Sequence, residues 1–118
     1  MSVPHEISEQ ITLAGYLDRA GLVWFHVPNG GRRDKGEAQR LRASGVKAGV
    51  PDVLILSPAP GARFGAALEL KRIGESYAAV KPEQWAWLGK FLDRGMVPIV
   101  AFGWRDAVFR LRSYGYRV

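Results

Sequence analysis

Apolar residues along the chain recur with the periods of helices and strands. Four of them near the N-terminus lie at helical spacing and Gly21 follows, which predicts a helix over about residues 5–20. β-Branched and aromatic residues crowd positions 22–27, which predicts a strand that ends at Pro28. The same patterns predict the remaining elements in this order: a short helix at 37–44, strands at 53–57 and 64–71, a helix at 82–94, a strand at 97–102 and a basic amphipathic helix at 105–114.

This order, α-β-(α)-β-β-α-β-α, predicts a single α/β domain over residues 1–118. Its central mixed sheet contains an antiparallel hairpin in the middle, and a helical crossover leads to the last strand. With 118 residues, 47% of them hydrophobic, the chain can bury one core. The segment 73–80 is expected to be a loop.

Composition narrows the chemistry that the domain can perform. The chain has no cysteine, which excludes disulfides, thiolate zinc sites, iron–sulfur clusters and a cysteine nucleophile. With only two histidines, the sequence favours oxygen ligands for any metal, and therefore Mg²⁺, Mn²⁺ or Ca²⁺. The N-terminus resembles no signal peptide and no apolar stretch is long enough to span a bilayer, so we expect a cytoplasmic protein without a membrane partner.

The net charge of +6 is unevenly distributed along the chain. Residues 32–47 contain six bases and two acids, and residues 101–118 contain four bases and one acid. A basic, glycine-rich segment can lie along a phosphate backbone, although a solvated loop is the commoner meaning of such a run. The candidate DNA-binding bases are Arg32, Arg33, Lys35, Arg40, Arg42 and Lys47.

One constellation of charged residues points to catalysis. Glu69 and Lys71 are two apart on a predicted strand and therefore share one face. A hairpin centred on residues 60–61 places Asp52 opposite Glu69, because 52 and 69 add to 121. Two carboxylates with a lysine beside them can hold a divalent metal and orient a water for phosphodiester hydrolysis. Taken separately, each pair is more often a surface ion pair or a turn.

These residues also resemble a known family. Pro51-Asp52 followed by Glu69-Leu70-Lys71 resembles the PD-(D/E)xK nuclease signature. Five blocks in order resemble the virus-type replication-repair nuclease (VRR-NUC) domain of small stand-alone phage and bacterial members: Glu6-xxx-Gln10, His26-Val27-Pro28-Asn29-Gly30, Gly49-Val50-Pro51-Asp52-Val53, Ala67-Leu68-Glu69-Leu70-Lys71-Arg72, and Gln84-xx-Trp87-Leu88 with Gly95. The resemblance extends from Glu6 to about Ala107 and implies a restriction-endonuclease-like fold.

The resemblance implies a role for each matching residue. The metal would be held by Asp52, Glu69 and the backbone carbonyl of Leu70, and Lys71 would be the water-orienting or base-like group. The first-helix acid would assist the metal or the water; we assign it to Glu6, with Glu9 as the rival. Gln84 would be a supporting catalytic residue. Asn29 and His26 would contact DNA. The alternative for Asn29 is a turn residue, and the alternative for His26 is a structural histidine.

The resemblance implies a DNA endonuclease that uses Mg²⁺, with Mn²⁺ as substitute. Small stand-alone members resemble homodimeric Holliday-junction resolvases, so branched DNA is the expected substrate in a bacterial or phage-infected cell. A flap or non-specific DNA nuclease is one alternative. A non-catalytic nucleic-acid-binding protein on a degenerate nuclease fold is another, and the intact Asp52, Glu69 and Lys71 argue against it. A small RNA-associated domain is a third, although no RNA-binding motif supports it.

Overall fold

A computed structural model describes residues 3–28 and 34–118 of the chain. The elements follow the predicted order: α1 (Glu6–Arg19), β1 (Trp24–His26), α2 (Lys35–Ala43), β2 (Val53–Ile55), β3 (Ala66–Lys71), α3 (Pro82–Asp93), β4 (Val97–Phe102) and α4 (Trp104–Ser113). One element is additional, a single 3₁₀ turn at Tyr77–Ala79 inside the segment expected to be a loop. The turn is held by a hydrogen bond from the backbone N–H of Ala79 to the Ser76 carbonyl. A turn of three residues is too short to show a periodic apolar pattern in the sequence.

The four strands form one mixed sheet in the order β1-β2-β3-β4. The first three are antiparallel neighbours, whereas β4 runs parallel to β3 after the α3 crossover, as predicted. Val53 pairs with Leu68, so the register places Asp52 opposite Glu69. The hairpin predicted by counting is therefore confirmed to the residue.

Helices cover the two faces of the sheet unequally. Helices α1 and α4 pack on one face over the larger core, which contains Leu13, Leu68, Leu70 and Leu111. Helix α3 covers the other face, where Leu88 meets Val80 and Val100 in a smaller cluster. Because side chains alternate along β3, the residues on either side of Leu70 point away from the larger core and toward α3.

Helix α2 differs from the other helices because none of its residues is buried. It begins after Asp34, whose side chain accepts a hydrogen bond from the backbone N–H of Glu37 at 2.7 Å. Its position between β1 and β2 makes it an exposed helical excursion from the sheet. None of the helices in the described ranges is both long and apolar enough to cross a membrane.

Candidate active site

Asp52 lies at the start of β2 and is held by both neighbouring strands. Its Oδ2 atom accepts a hydrogen bond from the backbone N–H of Leu70 at 2.7 Å. Its carbonyl oxygen accepts a bond from the backbone N–H of Val27 at 2.7 Å, and Nδ1 of His26 lies 2.8 Å from the same oxygen. These contacts hold the Asp52 carboxyl group near that of Glu69, and the charge of Asp52 helps to raise the pKa of Glu69.

Gln84 connects the other two residues of the predicted constellation. Its Nε2 atom donates to Oε1 of Glu69 at 3.2 Å, and its Oε1 atom accepts from Nζ of Lys71 at 3.1 Å. The same Oε1 atom accepts from the backbone N–H of Lys81 at 2.8 Å at the start of α3. The amide group is therefore used at both ends, and it fixes Lys71 at 3.8 Å from Glu69.

The electrostatics of this cluster favour a cation. Burial raises the pKa of Glu69 to about 9, and the neighbouring Asp52 adds to the rise while Lys71 opposes it. The Oε2 atom of Glu69 is buried and has no hydrogen-bond partner among the described residues. A carboxylate oxygen without a donor, beside a second carboxylate, is chemically suited to a hard divalent cation such as Mg²⁺.

The donor set is a carboxylate pair rather than a triad. Among residues 3–28 and 34–118, no group of three or more His, Asp or Glu side chains is arranged to hold a metal ion. A role for Glu6 in assisting the metal or its water therefore stays a prediction. The Leu70 backbone suits the remaining role, because its N–H reaches Asp52 and its carbonyl points to the same side of the strand.

The structure separates the two candidate acids of α1. Glu9 is 3% exposed, and its Oε2 atom accepts from the backbone N–H of Trp104 at 2.6 Å. It thus satisfies the start of α4 and serves the fold. Glu6 is exposed at the first position of α1; desolvation and the negative charge of Asp52 raise its pKa, while Lys71 opposes the rise. Glu6 is thus the acid whose electrostatic partners include Asp52 and Lys71, and its role at the site stays a prediction.

Comparison with known proteins bears on the fold of the chain. No family model and no curated protein matches the sequence. Among solved structures, a VRR_NUC domain protein superimposes with a TM-score of 0.74 at 23% identity, over 97% of this chain and 90% of that one. The chain has the VRR_NUC domain fold. This confirms the predicted fold class, a PD-(D/E)xK-type α/β domain with a mixed sheet flanked by helices.

Within this VRR_NUC fold, the described DNA-binding candidates lie on or near the exposed helix. Lys35, Arg40 and Arg42 belong to α2 and Lys47 follows it, and all four are exposed. Asn29, Arg32 and Arg33 lie outside the described residues. His26 is exposed and lies against the Asp52 carbonyl, which gives it a supporting position beside the carboxylates.

Sequence reasoning missed two residues that make close contacts near the candidate site. Gly49 approaches the first turn of α3 so closely that a Cβ atom there would lie 2.7 Å from the Glu83 carbonyl. Arg72 donates from Nε to the Pro4 carbonyl at 3.2 Å and from Nη2 to the Val3 carbonyl at 2.9 Å. Both residues lie in sequence blocks that resemble the VRR-NUC family, and this resemblance was the only indication in the sequence that could have identified them.

Proposed function

We propose that the chain is a metal-dependent DNA endonuclease of the VRR-NUC type that hydrolyses phosphodiester bonds with Mg²⁺, or with Mn²⁺ in its place. One observation carries the proposal. Glu69 is buried beside Asp52 and has one carboxylate oxygen, Oε2, without a donor among the described residues, while its other oxygen, Oε1, lies 3.8 Å from the ammonium nitrogen of Lys71. A structural role would favour a satisfied pair, because burying unpaired polar atoms destabilises a fold.

The residues divide the chemistry between them. Asp52 and Glu69 would hold the cation through their carboxylates, and Leu70 would contribute its carbonyl oxygen. When bound, Mg²⁺ neutralises charge on the scissile phosphate and makes water a stronger nucleophile. The bond from Leu70 N to Asp52 fixes one carboxylate, and the bond from Gln84 fixes the other, so the pair is preorganised.

Lys71 is the cationic group of the proposed mechanism. Its ammonium group is largely buried and is held by Gln84. From this position it would orient the attacking water and stabilise negative charge on the phosphate. Gln84 accepts one of its three N–H bonds, which leaves the others for substrate. Glu6 adds a carboxylate that interacts electrostatically with Asp52 and Lys71, from where it would assist the metal or its water.

The proposed substrate is branched DNA, such as a four-way junction, cut by a homodimer. The resemblance to stand-alone VRR-NUC proteins supports this substrate class, and the VRR_NUC neighbour supports the fold on which it depends. Two active sites related by a two-fold axis would cut two strands symmetrically.

The test is cleavage of four-way junctions, flaps, and linear single- and double-stranded DNA with Mg²⁺, Mn²⁺ or EDTA. We expect junction nicking with either metal and none with EDTA. Asp52→Asn, Glu69→Gln and Lys71→Ala should each lower the rate by at least about 100-fold while DNA binding persists. Asp93→Asn is the matched control, since this acid is exposed at the far end of α3.

Three outcomes contradict different parts of the proposal. Cleavage by Lys71→Ala at the wild-type rate would make the assigned mechanism wrong. Equal cleavage of linear and branched DNA would replace junction selectivity by non-specific nuclease activity, and a preference for flaps would make it a flap nuclease. DNA binding without cleavage in either metal would favour the non-catalytic alternative.

A further inference from the structure

Arg72 makes a contact that the proposed chemistry does not explain. It follows Lys71 directly, at the end of β3, and its guanidinium group donates to the carbonyls of Val3 and Pro4. These bonds join residues 68 and 69 positions apart in sequence, so they bind the N-terminal segment to the catalytic strand. By alternation, the Arg72 side chain lies on the α1 face, opposite to that of Lys71.

The segment that Arg72 holds leads directly into α1. His5 is the N-cap residue and makes no side-chain capping bond, and Glu6 is the first residue of the helix. Val3 is 41% exposed, so burial contributes little to holding this segment. Within the described residues, the two bonds from Arg72 are side-chain hydrogen bonds that hold the backbone just before α1.

The start of α1 determines where Glu6 lies. The Glu6 carboxyl group interacts electrostatically with Asp52, Lys71 and Arg72. The other acid of the first turn, Glu9, instead accepts a hydrogen bond from the backbone of Trp104 at the start of α4. A shift of the first turn would move Glu6 without disturbing the Asp52–Glu69 pair, whose hydrogen bonds come from Leu70 and Gln84.

We propose that Arg72 is a positioning residue that holds the carbonyls of Val3 and Pro4 and thereby sets Glu6 beside the Asp52–Lys71 cluster. This inference rests on the proposed function. Arginine suits the role because its planar fork presents donors in fixed directions, which a lysine ammonium cannot reproduce. A positioning residue acts through another group, so its effect must depend on Glu6.

The experiment compares Arg72→Ala, Arg72→Lys, Glu6→Gln and the double variant Arg72→Ala/Glu6→Gln. Three quantities are measured: amide hydrogen exchange in the first turn of α1, the Mn²⁺ dissociation constant by calorimetry, and the rate of junction cleavage. Arg94→Ala is the matched control, because Arg94 also donates to a backbone carbonyl, that of Lys90, at the far end of α3.

Arg72→Ala should speed exchange of the Ser8 and Glu9 amides, which bond to the His5 carbonyl. It should weaken Mn²⁺ binding and slow cleavage by about 10-fold each, as the loss of an outer-shell contact typically does. In the Glu6→Gln background the same change should have no further effect on either quantity. Arg72→Lys should fall between, and it carries the test should Arg72→Ala fail to fold. Arg94→Ala should behave as wild type.

The proposal is overturned if Arg72→Ala leaves α1 exchange unchanged, or if its effect on Mn²⁺ binding is equally large in the Glu6→Gln background. Wild-type protein that binds Mn²⁺ but cuts no DNA would contradict the proposed function alone, since exchange and Mn²⁺ affinity still report on Arg72. Wild-type protein that binds no Mn²⁺ would contradict the metal site and, with it, this role.

Discussion

Glu69 combines deep burial with an incompletely satisfied carboxyl group. Its Oε1 atom accepts from Gln84, while no donor in the described structure reaches Oε2. The folded state therefore favours the protonated acid, and the pKa of Glu69 rises to about 9 from its ordinary value of 4.5. A cation at the pair would replace that proton, which couples metal binding to pH and to folding stability.

The sign of this coupling predicts the pH dependence of stability without metal. Between pH 4.5 and about 9 the unfolded chain releases the Glu69 proton and the folded chain retains it, so stability falls as pH rises. Glu69→Gln does not titrate. In EDTA, wild type should therefore lose stability relative to Glu69→Gln as the pH rises. The difference in free energy of unfolding between the two proteins should change by at least about 1 kcal/mol between about pH 5 and about pH 8, which is about 4 °C in Tm.

Thermal unfolding followed by circular dichroism measures this difference. Excess Mg²⁺ should raise the Tm of wild type at the higher pH and change that of Glu69→Gln much less, because glutamine lacks the negative charge that Glu69 contributes to the ion site. Parallel pH profiles of the two proteins in EDTA would contradict the raised pKa of Glu69.

The acids of α1 show what a single sequence can and cannot separate. Glu6 and Glu9 are three residues apart on one helix, so periodicity assigns them to nearly the same face. Their roles differ because Glu9 meets the backbone of Trp104, 95 positions away in sequence. That partner is defined only by how α4 packs against α1, and only the resemblance favoured Glu6 beforehand.

At the scale of elements, local patterns predicted most of the fold. The β4 bounds and the β2–β3 register were predicted to the residue, because the first depend on a continuous apolar run and the second on hairpin length. The loop before Asp52 was less predictable. Gly49 has a φ of +86°, and its missing side chain allows the loop to touch the first turn of α3, which carries Gln84. Such proximity depends on tertiary packing.

Gly49→Ala should therefore disturb both stability and activity. A Cβ atom would lie 2.7 Å from the Glu83 backbone, and alanine would also be strained at this φ. We expect a loss of about 2–3 kcal/mol in unfolding free energy, with slower cleavage as Asp52 moves away from Gln84. Gly61→Ala is the matched control, because Gly61 has a φ of +80° but nothing within 4 Å of a Cβ atom.

The control should lose about 1 kcal/mol from backbone strain and retain wild-type cleavage at a temperature where both variants are folded. Urea unfolding and junction cleavage measure the two effects. Equal losses in the two variants would show that backbone strain alone matters at Gly49, and that its contact with α3 does not position the site.

At the scale of the whole molecule, the Asp52–Glu69 carboxylate pair and the exposed bases of α2 occupy different parts. The carboxylates lie in the sheet beneath α3, whereas α2 carries exposed bases and buries none of its residues. A nine-residue helix without tertiary packing is marginal by itself. The distribution of charge along the sequence predicted the basic segment. It did not predict that α2 lies outside the core, because this position depends on tertiary packing.

This separation predicts that α2 contributes charge to DNA binding and nothing to cleavage chemistry. Removing Arg40 and Arg42 together, as Arg40→Ala/Arg42→Ala, should weaken junction binding and reduce the slope of log affinity against log salt by up to about 1.8, since each lost phosphate contact contributes about 0.9. Alanine favours helix, so α2 itself should persist. Fluorescence anisotropy in EDTA, across a range of KCl concentrations, measures the slope without cleavage.

The matched control, Lys90→Ala/Arg94→Ala, removes the same charge from the exposed side and end of α3. If α2 lies along the DNA backbone, the control should keep the wild-type slope, because net charge alone acts weakly across a distance greater than the roughly 8 Å Debye length at physiological salt. Equally reduced salt slopes for both double variants would show that overall charge causes the effect. In that case α2 would be a solvated helix that does not contact the DNA backbone. At saturating DNA, the α2 variant should cleave at the wild-type rate, because none of its changes touches the Asp52–Glu69–Lys71 cluster.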